Sequence, residues 1–550
     1  MTYDQSESKE IPAISRRGFI VTTAAGVAAA TAGCAAGTGN ARSEAAATTA
    51  TLGPYDDFRG AIAAFEARGR VVRIARADQD AFEASALMYR LVDRYGAEGA
   101  PVVVFEEVKI EGEWIKGPVV GNFIGHWDAE ALVFGVEPDP AGGAATLRKA
   151  RDHLVGLAQA NGGRFPEIPP VVIPREKALC KEVVLQGDAI DMTRFGFLKV
   201  NPGDGGRYVN TASVFTVDPT AGINFGTYRC QLKGPRKIAV SPGEGQTGWI
   251  MLDAARKRGE KVVKVSLVLG QDPIVYLVSG SRVANRTGNR PVDELAVAGG
   301  LRGRAVEVVK SDTNDFLVPA HAEMIIEGEI PLDDTEPEGP YGEGLGYQGG
   351  GETAWYMNVT TVTHRRNPWM HNSFTGIDRG PVSAAGLASS LLFTQKFAPE
   401  VVDMHYRSKA NNIMYVSIRK TAAGQAMAIG ERLGKFNPVA KVVIMLDDDV
   451  NLMDMSQVMF AISSRWQPHP AAKIFEQLPG LPLDPSQPNR NKTSKIIIDA
   501  TRQWPGEGGP ESFPRTNRSI LIEKMPNAFT QVDEKWGAII SGWEAGELRG

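Results

Sequence analysis

Cysteine is scarce. The 550-residue chain has 3, too few for a disulfide framework. Histidine is scarce too, with 7 scattered residues and no HExxH or paired spacing, which argues against a zinc site. Charge of either sign is nearly balanced at a formal net -4, so no basic field exists to hold nucleic acid. Neither a GxSxG elbow nor a Walker A loop is present, and no segment repeats at a period of about 20–50 residues. Glycine and proline, by contrast, are abundant at 60 and 34, above usual shares of about 7% and 5%. They follow no collagen-like period and so mark tight turns and shaped loops. Apolar residues at 43% and charged residues at 23% describe an ordinary globular protein. The length suits two to four domains.

The start of the chain reads as an address. Ser15-Arg16-Arg17-Gly18-Phe19-Ile20 has the twin-arginine form, followed by an uncharged run from Gly18 to Ala36. That run is too weakly apolar for a span of about 20 residues, and with the small residues after it describes a signal peptide. Thr31-Ala32-Gly33-Cys34 partly resembles a lipobox, with Thr where a large aliphatic residue is usual. Export by the twin-arginine translocase to the periplasm or another extracytoplasmic space is expected, with lipid anchoring through Cys34 left open. Cys180 and Cys230 would then remain, their pairing undecided.

Periodicity divides the rest. Residues 1–51 are expected to be signal and flexible tether, and 52–165 an N-terminal α/β domain with helices at Tyr55–Arg68, Ala81–Tyr95 and Leu147–Asn161. Pro101–Phe105 reads as a short strand and Pro166–Pro174 as a linker. Residues 166–365 are β-dominated. Strands are expected at Tyr208–Val217, Gly226–Leu232, Val262–Val268, Ile274–Val278, Ala305–Val309, Met324–Ile330 and Trp355–His364, with one helix at Trp249–Lys257. Closely spaced strands suggest a barrel or packed sheets. Residues 366–550 alternate again, with helices at Ala384–Lys396, Gly424–Phe436 and Ser456–Ser464 and strands at Tyr415–Ile418, Val442–Leu446 and Lys495–Asp499. The fold class is a multidomain α/β and α+β protein.

Several segments could carry chemistry. Gly243–Gly248 matches GxGxxG between a strand and a helix, yet the βαβ units of a dinucleotide fold are missing. A phosphate at the helix N-terminus, or a plain Gly-rich turn, both fit. Glu336-Pro337-Glu338-Gly339-Pro340-Tyr341-Gly342-Glu343 is a shaped loop holding Glu338 and Glu343 five residues apart. In a partly dry pocket two such carboxylates separate in pKa and suit proton delivery to carbon; a solvated acidic turn is the bland alternative. Asn224 and Arg229 lie five apart on an expected strand. They would need a bulge, at Gly226, to converge. Arg229 could clamp a carboxylate, or be a surface edge residue. Asp447-Asp448-Asp449 could bind a metal but fits a solvated turn better.

Taken together these segments resemble the UbiD family of decarboxylases, which use prenylated FMN. The resemblance runs from about residue 55 to about 545. It is carried by Asp204-Gly205-Gly206-Arg207-Tyr208, Asn224 to Arg229, Val292-Asp293-Glu294, Lys310-Ser311-Asp312-Thr313-Asn314-Asp315, Pro337 to Glu343 and Ser494-Lys495. It implies a central split β-barrel like that of flavin reductases, flanked by an N-terminal α/β domain and a C-terminal α/β dimerisation domain. It implies that Arg229, Glu338 and Glu343 form the catalytic network. It places Asn224, Phe225, Thr227, Tyr228, Arg229, Gln246, Glu294 and Lys495 about the cofactor, with Asn224, Gln246 and Glu294 on a divalent metal. That metal would be manganese or magnesium, with potassium nearby; oxygen donors and a phosphate suit such ions. Many relatives supply a His as third metal ligand. None occurs here between His153 and His321, and Gln246 or Thr247 falls nearest.

The reading that follows is a reversible, non-oxidative decarboxylase of an aromatic, heteroaromatic or α,β-unsaturated acid. A prenyl-flavin synthase would supply its cofactor, and it would assemble as a dimer or higher homo-oligomer. Side chains alone cannot absorb the charge left by departing carbon dioxide, so an organic electron sink is required. Phe374 and Met404 are expected near the pocket. An ordinary FMN reductase and a non-catalytic exported relative are the alternatives.

Overall fold

A computed structural model of the chain describes residues 51–546, except 282, 284–292, 380–382, 408–409 and 490. The expected twin-arginine motif and Cys34 fall outside the described residues, as does Val292. No described helix is long and apolar enough to cross a membrane.

Near the N-terminus, helix Phe58–Ala67 is capped by Asp57, whose carboxylate accepts from Gly60 N at 2.7 Å. Its Phe58, Ala61, Ile62 and Phe65 recur at three- and four-residue spacing and are all buried. Strands Val71–Asp78, Val102–Ile110 and Glu113–Gly121 follow it and lie side by side in one four-stranded sheet. The fourth strand, Met370–Asn372, arrives from far along the chain and pairs in parallel with Val119–Gly121. His371 on that strand is sealed among the rings of Phe58, Phe123 and Tyr276, and burial pulls its pKa down to about 3. A buried carboxylate ties this region to the centre. Glu323 accepts from Arg59 at 2.6 Å, Arg365 at 3.2 Å and the Trp369 backbone at 3.0 Å.

A ten-stranded sheet dominates the middle. Val183–Gln186 and Glu336–Glu338 each pair with Glu352–His364, and eight strands run in the order Tyr208–Val209, Arg229–Gly234, Lys237–Ser241, Glu352–His364, Met324–Pro331, Val262–Leu269, Ser213–Asp218 and Gly222–Thr227. The chain steps from the last of these strands to the second through Tyr228 alone. Its two ends must therefore lie side by side, and the sheet curls into half a barrel.

Several expected elements differ. Ile274–Val278 is not a strand but part of helix Pro273–Gly280. Asp272 caps Ile274 N at 2.7 Å and Pro273 fills the first turn, so a cap and a pre-set φ outweigh β-branched propensity. Tyr208–Val217 is two strands, and Gly226–Leu232 is broken at Tyr228. Within Pro166–Pro174, Val171–Val172 pairs with Glu307–Val308. Helix Glu294–Arg302, unrecognised in the sequence, starts at Asp293, which accepts from Ala296 N at 2.9 Å. Cys180 and Cys230 are free and buried.

The C-terminal sheet runs Val401–Arg407, Ala410–Ile418, Val442–Asp447, Lys492–Asp499 and Ala472–Pro479. Its central three strands are parallel, as helical crossovers require. Alternation along the strands sends Val443, Met445 and Ile497 into one core and Ile444 and Leu446 into another. Glycines let helix Gln425–Phe436 sit close on the first face. A Cβ at Gly430 would come within 2.5 Å of Ile497, and one at Gly434 within 2.7 Å.

Candidate active site

The site forms where the curled sheet meets the acid loop. Glu336–Glu338 pairs with Glu352–Ala354, and Tyr341–Gly342 pairs with Gln348–Gly349. Between them Gly339 takes φ +85°, a conformation only glycine adopts freely. The loop is clamped from outside. Asp204 accepts from Gly342 N at 2.7 Å and Asn201 N at 2.8 Å, while Gly205 N donates to Pro340 O at 2.7 Å. Any Cβ at Gly205 would come within 2.1 Å of the Gly339 carbonyl, so this approach needs glycine.

Arg229 joins the two acids. Its Nη2 donates to Glu338 Oε2 at 2.7 Å, its Nε reaches both Glu338 oxygens at 3.1 Å, and its Nη1 donates to Glu343 Oε1 at 2.5 Å. One N–H on each terminal nitrogen remains for another acceptor. Glu338 is fully buried and also accepts from the Tyr208 hydroxyl at 2.9 Å and the Ser241 hydroxyl at 3.3 Å. That set of donors suits a carboxylate anion. The Tyr341 ring stacks near Tyr208, 4.4 Å between centroids, and Arg229 lies 5.4 Å from its centre. Burial raises the Glu343 pKa; Arg229 pulls it back, and Glu338 and Glu352 push it up again. Burial works against the Arg229 charge, but Glu338, Glu343 and Glu352 outweigh it and keep the guanidinium ionised. Glu343 is thus the member of the pair inclined to keep its proton.

A second cluster lies at the Tyr228 crossing. Asn224 is buried and donates both ways from Nδ2, to Thr216 Oγ1 at 3.5 Å and the Tyr228 hydroxyl at 3.4 Å. Its Oδ1 is thereby turned away from both hydroxyls. Glu294, at the first turn of its helix, accepts from Phe225 N at 2.8 Å, which puts its carboxylate one residue from Asn224. The Phe225 ring is core, stacked on Phe215 at 4.9 Å. Thr227 shares a hydrogen bond with Ser279 at 2.8 Å. The Tyr228 ring lies over Gly226, where a Cβ would come within 2.4 Å of its hydroxyl oxygen. Gly226 therefore makes room for this ring, and the crossing at Tyr228 replaces the expected bulge.

Other singled-out residues stand apart from these two clusters. Gln246 is exposed, and its Oε1 already accepts from Gly243 N at 2.6 Å. Gly248 N, at the start of helix Thr247–Lys257, donates to the Tyr228 hydroxyl at 3.0 Å, so a side chain takes that helix-end amide. Lys495 stands on the C-terminal sheet. It is buried, donates to the Asn437 carbonyl, and is pulled down to about 8 by burial. Asp447, Asp448 and Asp449 are each spent on arginines, 465, 419 and 502 among them. Phe374 and Met404 are buried in the core. Among the described residues no cluster of three His, Cys, Asp or Glu could hold a metal.

Sequence reasoning missed Tyr208, Ser241, Asp204 and Glu352. Asp204-Gly205-Gly206-Arg207-Tyr208 stood out as a motif, but nothing local says that its tyrosine and aspartate serve a loop some 130 residues later. Arg207 is its anchor, buried and donating to the carbonyls of Thr193, Phe195 and Phe197.

Comparison with known proteins agrees with this layout. Residues 62–143, 171–378 and 384–500 match, in order, the 3-octaprenyl-4-hydroxybenzoate carboxy-lyase N-terminal domain, Rift-related domain and C-terminal domain. The closed form of vanillic acid decarboxylase from Sedimentibacter hydroxybenzoicus is 27% identical with TM-score 0.73, over 86% of this chain and 99% of that one. The UbiD-class enzyme HmfF from Pelotomaculum thermopropionicum in complex with FMN is 26% identical with TM-score 0.70, over 85% and 100%. An evolved dimeric form of HmfF in complex with prFMN is 26% identical with TM-score 0.69, over 84% and 97%.

Proposed function

The chain belongs to the UbiD family of carboxy-lyases, and we propose that it is a non-oxidative, reversible decarboxylase of an aromatic, heteroaromatic or α,β-unsaturated carboxylic acid that uses prenylated FMN. The observation that carries this reading is the Arg229 guanidinium donating to both Glu338 and Glu343, with burial raising the Glu343 pKa. An ordinary flavin reductase has no use for such a pair.

When bound, prenylated FMN supplies the electron sink that side chains lack. The half-barrel, which we read as a split barrel of the flavin-reductase kind, would hold it. The donor set at the Tyr228 crossing fits a hard divalent cation at the cofactor phosphate. Asn224 would present Oδ1 because both hydrogen bonds of its Nδ2 go to hydroxyl oxygens, and the Glu294 carboxylate sits beside it. Gln246 is turned to Gly243, so two side chains would carry the manganese or magnesium site. Potassium remains part of the proposal. Arg229 orients the substrate carboxylate through its remaining N–H groups, Glu338 fixes Arg229, and Glu343 gives its proton to the carbon that loses carbon dioxide.

Export is part of the same proposal. The twin-arginine route carries folded proteins, so Arg16-Arg17 suits an enzyme loaded in the cytoplasm by a prenyl-flavin synthase. Lysine at both positions should leave the protein in the cytoplasmic fraction; unchanged export would remove this part. A homodimer or higher assembly completes the proposal. The whole reading is tested by coexpression with a prenyl-flavin synthase and assay against a panel of such acids.

A further inference from the structure

We propose that Glu352 is the proton-entry residue of this site, taking protons from water and restoring Glu343 after each turnover. The inference rests on the decarboxylase reading above. Decarboxylation consumes one proton: R–COO⁻ + H⁺ → R–H + CO₂. The electron pair of the broken carbon–carbon bond ends in the new C–H bond, and Glu343 is left as a carboxylate. The next turnover therefore needs a proton from outside.

Geometry leaves few suppliers. Glu338 is fully buried, with both oxygens engaged by Arg229, Tyr208 and Ser241. Glu343 is itself only 14% exposed. Glu352 stands directly across from Glu338 in the strand pair, and its Oε2 lies 3.9 Å from Arg229 Nη2. Its side chain is 40% exposed, the wettest of the three carboxylates around one guanidinium.

Three glycines separate Glu352 from the acid loop. The chain there runs Gly349-Gly350-Gly351 and carries no side chain. A Cβ at Gly349 would stand 3.0 Å from Glu343 Oε1, and one at Gly350 would meet nothing within 4 Å. The open space suits water, which can carry a proton between two carboxylates. The charged and titratable groups facing Glu343 are Arg229, Glu338, Glu352 and Tyr341. Arg229, Glu338 and Glu343 are among those facing Glu352. Three carboxylates on one cation favour holding one proton among them.

The test compares wild type with Glu352→Gln, Glu352→Asp and Gly350→Leu. The first readout needs no turnover. The infrared band of the protonated Glu343 carboxyl, identified by its loss in Glu343→Gln, is titrated with pH. Glu352→Gln should move that titration to lower pH, because one negative neighbour is gone. In the loaded enzyme, Glu352→Gln should lower kcat about tenfold or more with KM unchanged. Its solvent deuterium isotope effect should rise, and added formate should restore part of the rate. Glu352→Asp should retain most activity, and Gly350→Leu should slow turnover by filling the water route. Wild-type kcat and isotope effect in Glu352→Gln would overturn the inference while leaving the decarboxylase reading intact, even if the infrared titration moved. A wild type that releases no carbon dioxide from any acid overturns the reading itself, and this inference with it.

Discussion

The Tyr208 hydroxyl donates to Glu338 Oε1 at 2.9 Å, on the same carboxylate that receives Arg229. Burial and the Glu338 charge raise the Tyr208 pKa, so it stays a donor across the working pH range. A hydrogen bond to a charged acceptor contributes about 1.5–3 kcal/mol. Tyr208→Phe should fold and bind flavin normally, yet lose roughly tenfold or more in kcat/KM because Glu338 and Arg229 lose their anchor. Unchanged kcat/KM would remove Tyr208 from the account.

Glu343→Gln should keep the cofactor and lose turnover, because the amide cannot deliver the proton. The pH dependence follows from the direction of its shift. Its folded pKa is raised, so the acid form is fully present below the ordinary carboxylate range and is lost as pH rises through the raised value. In wild type, kcat should fall on the alkaline side, about tenfold per pH unit in the limit. The group's contribution to folding stability runs the same way, present at low pH and lost as pH rises. A flat alkaline limb would contradict the assignment of Glu343 as the acid.

Much of the site could be read from the sequence, because its parts are local. Glu338 and Glu343 share one Gly/Pro loop, and Asn224 and Arg229 share one short segment. What joins them is not local. The strand break at Tyr228 looks like continuous β sequence, and only the curl of the sheet shows why the chain crosses there. Ile274–Val278 misled for a related reason: β-branched residues spoke for a strand, while Asp272-Pro273 set a helix start. Met370–Asn372 is too short to signal its partner. Gln246 illustrates the limit of position alone, since its carbonyl serves the Gly243 amide.

Asn224→Ala and Glu294→Ala should each weaken manganese-dependent flavin retention. The check is metal content by mass spectrometry, with the rise in Tm on adding manganese and FMN. Wild type should gain Tm from the pair and each variant should gain less. Gln246→Ala should match wild type, because its side chain faces solvent. Loss of metal in Gln246→Ala alone would reverse this assignment.

Glu323 offers a stability test remote from the chemistry. It is fully buried between Arg59 and Arg365, so removing it deprives both cations of their shared carboxylate and leaves Arg365 with Asp57 alone. Breaking a buried pair on one side costs about 3–5 kcal/mol. Glu323→Ala should lower Tm by several degrees, whereas replacing the exposed Glu244 should leave it unchanged.

The central claim is that this chain holds a modified flavin and uses it, with Glu343, to exchange carbon dioxide for a proton. The most direct measurement is the mass of the flavin bound after coexpression with a prenyl-flavin synthase, followed on the same sample by carbon dioxide release from a panel of aromatic and α,β-unsaturated acids. The account predicts prenylated FMN and release that vanishes in Glu343→Gln. Plain FMN with reductase activity, or release unaffected by Glu343→Gln, would contradict it.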